Sequence, residues 1–275
     1  AQGTAAVSKL VAKDQDQGFF RHADNTSAQA IRMALVSPRG LVKTPGRSET
    51  FKRSLPLRMY EESIAALPAR QRAALFDSLT GFKSPNLVGT ADSQGNTNLA
   101  IMSSAVHLGS HPPLIALVIR PGGEERHTLQ NILTTGVYTL NHVTEPLIAA
   151  AHQTAARYQR EVSEFEATGL TPLWQPGLAA PMVAEASIRL GLELREHQEL
   201  QINGTHLVIG EIVLAEFPER AVMDDGALNL AECGSVALTG LDTYHAAKPV
   251  RRMAYAKPDL PPRTLDSDVA SAGYG

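Results

Sequence analysis

Apolar positions first fall at helical spacing in EESIAALPARQRAALFDSLTGF, which begins at Glu61 and sets Ile64, Leu67, Leu75 and Leu79 near one period of 3.6. Pro68 divides this stretch into two short helices, and Gly81 is placed to end the second. The period then shortens to that of strands. NLVGTAD, a turn at 93–96, NLAIMSSAVHLG, the double proline Pro112-Pro113 and the run PLIALVIRP predict a three-strand meander. HTLQNILTTG reads as a short helix with Thr128 as its N-cap and Gly136 just past its last turn. VYTLNHV resumes as a strand. EPLIAAAHQTAARY predicts a helix with Pro146 near its first turn, and a polar Pro- and Gly-containing excursion fills about 160–181.

The clearest hairpin follows. Ile188, Leu190, Leu192 and Leu194 alternate with Arg189, Gly191, Glu193 and Arg195, and Asn203-Gly204 precedes HLVIGEIVLAEF. Asn-Gly is a strong turn signal because both residues tolerate positive φ. About seven strands, mostly in hairpins, with short helices between them predict a mainly β fold, an antiparallel barrel with α insertions. Strands do not alternate with long helices, so a parallel α/β sheet is not expected.

Charge divides the chain where this regular pattern begins. Residues 1–58 carry 10 Lys and Arg against 4 Asp and Glu, and 59–275 carry 15 against 24, summing to the net -3 of all 275 residues. The apolar residues of 1–58 follow no clear period, so the segment is expected to be a basic, flexible extension outside the main fold. Its Arg-rich, acid-poor composition also fits an organelle transit peptide or an upstream piece of an overlong gene. The longest aliphatic run, Leu114 to Ile119, is far short of the ~20 residues of a spanning helix, so no membrane partner is expected. The acidic body and sparse aromatics argue against nucleic acid. A lone cysteine, Cys233, and no secretory apolar core point to a reducing, cytoplasmic setting.

Common catalytic signatures are missing: no GxGxxG follows a strand, and neither GxxxxGK[ST] nor GxSxG occurs. His107 and His111 have metal-ligand spacing only on a helix, which Gly109 and the prolines oppose, so no metal site is expected. Chemistry concentrates between Asn96 and Asn131. Ala100, Ser103 and Ser104 share one strand, Arg120 ends the next, and Arg126-His127-Thr128 open a helix. Small residues let a flat ring approach the backbone, while hydroxyls, Arg and a helix N-terminus satisfy phosphate oxygens. Each residue also has an ordinary structural use as strand filler, surface ion pair or cap.

The order N-x-A-x-x-S-S, P-P-L, R-P, R-H-T-x-x-N-I and T-G-x-Y-T-x-N resembles the flavin reductase family of FMN-binding split barrels. SLTGFKSPNLVGT before it, and EFEATGLTP, GTHLVIGEIVL, GLDTYH and MAYAKP after it, extend the resemblance over about 59–260. The resemblance implies a six-stranded antiparallel Greek-key split barrel over 59–262, a tail at 263–275, and a homodimer with FMN near its interface. It sets Asn98, Ala100, Ser103 and Ser104 along the flavin ring and its polar chain, and Arg120, Arg126, His127, Thr128 and Asn131 at the phosphate. Here Arg-His-Thr stands where many relatives have Lys-Asp-Thr, and Ile101-Met102 where many have a proline and an aromatic. His206 matches a histidine expected near a stacked nicotinamide, in an active-site position or simply bonded to its own turn. The implied activity is an NAD(P)H-dependent flavin reductase, with NADH or NADPH as co-substrate and oxygen or a partner monooxygenase as acceptor. A non-catalytic FMN-binding electron carrier or sensor shares every cofactor contact. An oxidase of the pyridoxamine phosphate type shares the barrel and needs a second phosphate pocket, for which no residues are found.

Overall fold

The structure, a computed structural model, describes residues 57–122 and 126–265. The extension 1–58, apart from its last two residues, and 266–275 of the tail lie outside the described residues. Two short helices come first, α1 (Glu61–Ala65) and α2 (Ala69–Leu79), separated at Pro68, and neither buries a residue. The strands that follow are β1 (Asn86–Ala91), β2 (Thr97–Met102), β3 (Ala105–Ser110) and β4 (Pro113–Ile119). After α3 (His127–Thr135) and β5 (Val137–His142) come α4 (Ile148–Gln153) and α5 (Glu164–Thr168). The short pair β6 (Pro172–Leu173) and β7 (Met182–Val183) leads to the long hairpin β8 (Arg189–Leu200) and β9 (Thr205–Glu216). A second small hairpin, β10 (Val236–Thr239) and β11 (Thr243–Ala246), completes the element order.

The main sheet has the order β2-β1-β5-β8-β9-β4-β3, and every pairing in it is antiparallel. Its two outermost strands, β2 and β3, are joined only by Ser103 and Ser104. Laid flat, seven strands would put those edges about 29 Å apart, whereas the link from Met102 to Ala105 reaches about 11 Å at most. The sheet therefore has to curl until its edges meet. They meet without pairing, which makes the barrel split. NLAIMSSAVHLG, expected as one strand of a meander, is thus two strands on opposite lips, and the main sheet has seven strands rather than six.

Two apolar layers follow from this curl. Val88, Leu117, Ile119, Tyr138, Leu140, Leu192 and Val208 fill the interior, and Leu129 and Ile132 of α3 pack on them. Leu87, Leu99, Val143, Ala151, Phe165 and Val183 form a second layer behind β1, β2 and β5, beneath α4 and α5. This double cover explains why β1 is buried at all six positions. The helix expected over EPLIAAAHQTAARY is shorter, a 3-10 turn Glu145–Leu147 followed by α4.

One interior polar atom goes unanswered. Tyr138 Oη is buried with no hydrogen-bond partner among the described residues, and burial pushes its phenol far above the ordinary value. It lies against Gly210, where an added Cβ would sit 2.3 Å from the oxygen. Tyr138→Phe removes a dehydrated hydroxyl that gains nothing in return, so the variant should be as stable as the parent or up to about 1 kcal/mol more so. A lower urea midpoint for it would show that the hydroxyl has a partner.

Candidate functional site

Register places the first group of expected residues. Thr90 pairs with Asn98 and Val88 with Ala100, so Asn98 and Ala100 share the interior face with Val88. From there Asn98 Nδ2 donates to Thr128 Oγ1 at 2.9 Å and to Thr90 Oγ1 at 3.3 Å. Asn131 Nδ2 donates to the same Thr90 oxygen at 3.1 Å. All four side chains are buried. The network pins the start of α3 against β1 and β2. Thr128 is consequently not the N-cap; that position belongs to Arg126, and Thr128 lies within the first turn. Thr90 was missed from sequence, and its only signal was a hydroxyl in an otherwise buried-type strand.

The free edge of β2 is held by side chains. Leu99 N–H donates to Glu164 Oε2 and Ile101 N–H to Thr154 Oγ1, both at 2.9 Å. Burial pushes the Glu164 carboxyl up, while the Leu99 N–H and nearby His127 pull it back. A polar cleft opens here at the start of α3, lined by Asp92, Asn98, His127, Asn131, Arg160 and Glu164. Arg160 Nη1 reaches Gln130 Oε1 on α3 at 2.5 Å.

Other expected residues lie at the corner and the barrel mouth. Ser104 Oγ donates to the Val118 carbonyl at 2.6 Å and its own carbonyl accepts from Val118 N–H, while Ser103 Oγ has no protein partner among the described residues. Arg126 folds over Gly122, where a Cβ would sit 2.3 Å from its Nε, and donates to the Pro121 carbonyl. Arg120 is exposed and leans toward Asp77 of α2 at 3.9 Å. His206 stands opposite Ile119 on β4, at the barrel mouth, and not beside Asn98 and Thr128. The expected residues thus form one cluster around Thr90, one at the Ser103-Ser104 corner and one at the mouth.

These groups suit a ligand with a phosphate, a polar chain and a flat ring. The first N–H groups of the nine-residue α3 have no intrahelical acceptor, and Arg126 and His127 stand beside them. Asn131 Oδ1 is buried without a partner among the described residues, an acceptor waiting for a donor. Ala100 on β2 presents only a methyl group on the interior face.

Comparison with known proteins bears on the family and the fold. Residues 79–230 match the sequence profile of the flavin reductase like domain. A split-barrel structure from Shewanella frigidimarina NCIMB 400, assigned to the flavin reductases, is 49% identical, with a TM-score of 0.71 over 73% of this chain and 100% of its own. Nitrilotriacetate monooxygenase component B from Bacillus cereus shares the fold at 22% identity and TM-score 0.64, covering 72% of this chain and 98% of its own. An FMN-binding protein from Thermus thermophilus shares it at 17% identity and TM-score 0.51, covering 72% and 95%.

Proposed function

Since the chain belongs to the flavin reductase-like family, we propose that it is an FMN-dependent oxidoreductase taking its electrons from NADH or NADPH. The observation that carries this reading is the start of α3: a helix N-terminus with Arg126 and His127, pinned by Asn98 and Thr128 beside the strand that ends at the Ser103-Ser104 corner. When bound, FMN supplies a two-electron acceptor for a hydride from reduced nicotinamide and a proton from water. The protein's own share is binding and alignment. The α3 N–H groups, Arg126 and His127 hold the phosphate; Ser103 and the orphan Asn131 carbonyl meet the polar chain; Ala100 lets the ring lie close.

Arg126→Ala and His127→Ala should each weaken FMN binding about tenfold, the loss of one charge-assisted hydrogen bond. Arg120→Ala should have less effect, because that side chain leans toward Asp77. Titration of apoprotein by flavin fluorescence checks this, and unchanged affinity in both α3 variants would remove the phosphate assignment. Oxidation of NADH or NADPH by the FMN-loaded chain tests the reaction itself; a yellow protein inert to both nucleotides would be the electron carrier instead.

Reduced flavin is passed in this proposal to oxygen or to a monooxygenase, a reading supported by the shared fold of the Bacillus cereus component. A second copy of the chain is the proposed partner for the outer face of β3, β4 and β9. Val106 and Val118 are exposed there beside half-buried Leu207 and Ile209. Among the described residues no helix is long and apolar enough to cross a membrane.

A further inference from the structure

His206 is not alone at the mouth of the barrel. It lies two residues before Val208, which packs in the interior, so the alternation of β9 aims both to the same side. His197 of β8 stands directly opposite Val208 and therefore on that side too. The two imidazoles stack with centroids 5.2 Å apart and planes 22° from parallel, and His197 Nε2 lies 3.0 Å from His206 Nδ1. A contact this short holds one proton, since two lone pairs or two N–H groups would repel. The tautomers of the two rings are therefore set together.

The hydrogen bond can run in either direction, depending on the tautomers. Where His197 donates its Nε2–H and His206 Nδ1 accepts, His206 carries its own proton on Nε2. That nitrogen has no protein partner among the described residues. We propose that His197 is a positioning residue: it holds His206 in the Nε2–H tautomer and in one orientation, so that this N–H meets the carboxamide oxygen of an incoming reduced nicotinamide dinucleotide. The inference rests on the reductase reading above.

The test uses the full FMN-loaded chain and the variants His197→Ala, His197→Gln and His206→Ala. Long-range ¹⁵N–¹³C correlation spectra of the imidazoles report tautomers directly and need no turnover. The parent should show His206 as Nε2–H alone, H197A a mixture, and H197Q, whose amide N–H can still donate to Nδ1, the parent signature. In steady state H197A should raise KM for the nucleotide about five- to tenfold, the worth of one hydrogen bond, with kcat within about twofold. H197Q should recover most of that loss, and the double variant should be no worse than H206A. A single Nε2–H tautomer persisting in H197A, or additive losses in the double variant, would overturn the proposal. If the parent oxidises neither nucleotide, the reductase reading falls, and the imidazole spectra still decide whether His197 orients His206.

Discussion

Between pH 6.5 and pH 4 the fold should lose on the order of 3 kcal/mol of stability through a single side chain, His142. It ends β5, its Nδ1 lies 3.0 Å from Ser235 Oγ, and burial lowers its imidazole from the ordinary 6.5 to about 4. Above pH 6.5 the ring is neutral whether the chain is folded or not, so it contributes no pH dependence. As pH falls below 6.5 the unfolded chain takes up a proton that the folded chain refuses until about pH 4. Unfolding gains throughout that window, and below it both states are protonated. Glu164 works the other way: its carboxyl is raised by burial, so the folded state protonates first there and stability gains somewhat as pH falls. Urea midpoints at pH 7, 5.5 and 4.5 for the parent and His142→Gln separate the two. The variant should lose most of the acid limb; equal losses in both proteins would mean that another group drives it.

Gly89→Ala should cost about 3 kcal/mol or more, enough to leave a marginal domain unfolded. Gly89 lies mid-strand in β1, paired with Leu99 on one side and Thr139 on the other. A Cβ there would sit 2.2 Å from the Pro181 carbonyl oxygen and 2.5 Å from Thr139 Oγ1. The first is backbone and cannot rotate away. The second already donates to that carbonyl at 2.7 Å and accepts from Asn141 Nδ2 at 3.0 Å, so moving it breaks a fully buried network. Gly109→Ala is the matched control, because its Cβ would meet nothing closer than the Pro112 carbonyl at 3.4 Å, an ordinary contact. Comparing thermal midpoints of the two variants gives the result. A G89A protein as stable as G109A would mean that β1 and the Pro181 segment can separate at little cost.

What could be read from sequence was whatever local chemistry decides. The β8–β9 hairpin followed from strict alternation, and the end of α3 from Gly136, which adopts φ 71° there. Asn203-Gly204 marked the turn, which spans the four residues 201–204. Contacts distant in sequence were not legible. Nothing in NLAIMSSAVHLG signals a corner: it holds no proline, its only glycine lies near the far end, and serine is at home in a strand. Only the pairing of β2 with β1 and of β3 with β4 creates the break. Likewise Thr128 has the chemistry of a cap, but Asn98, thirty residues earlier, occupies its oxygen. Glu164 and Thr154, which close the edge of β2, sit in segments read as a polar excursion and a helix tail, with no local mark of where their oxygens go.

The Ser103-Ser104 joint also shapes the order in which this chain folds. β1–β2 and β3–β4 are local hairpins that can form independently, each with a short loop to close. The pairings of β1 with β5, of β5 with β8 and of β4 with β9 bring together distant stretches of chain and carry most of the loop-closure entropy. Because two residues tether the hairpins, docking one onto the β5–β8–β9 surface confines the other near its own partner. Once β5, β8 and β9 are paired, the second of these searches becomes a short one.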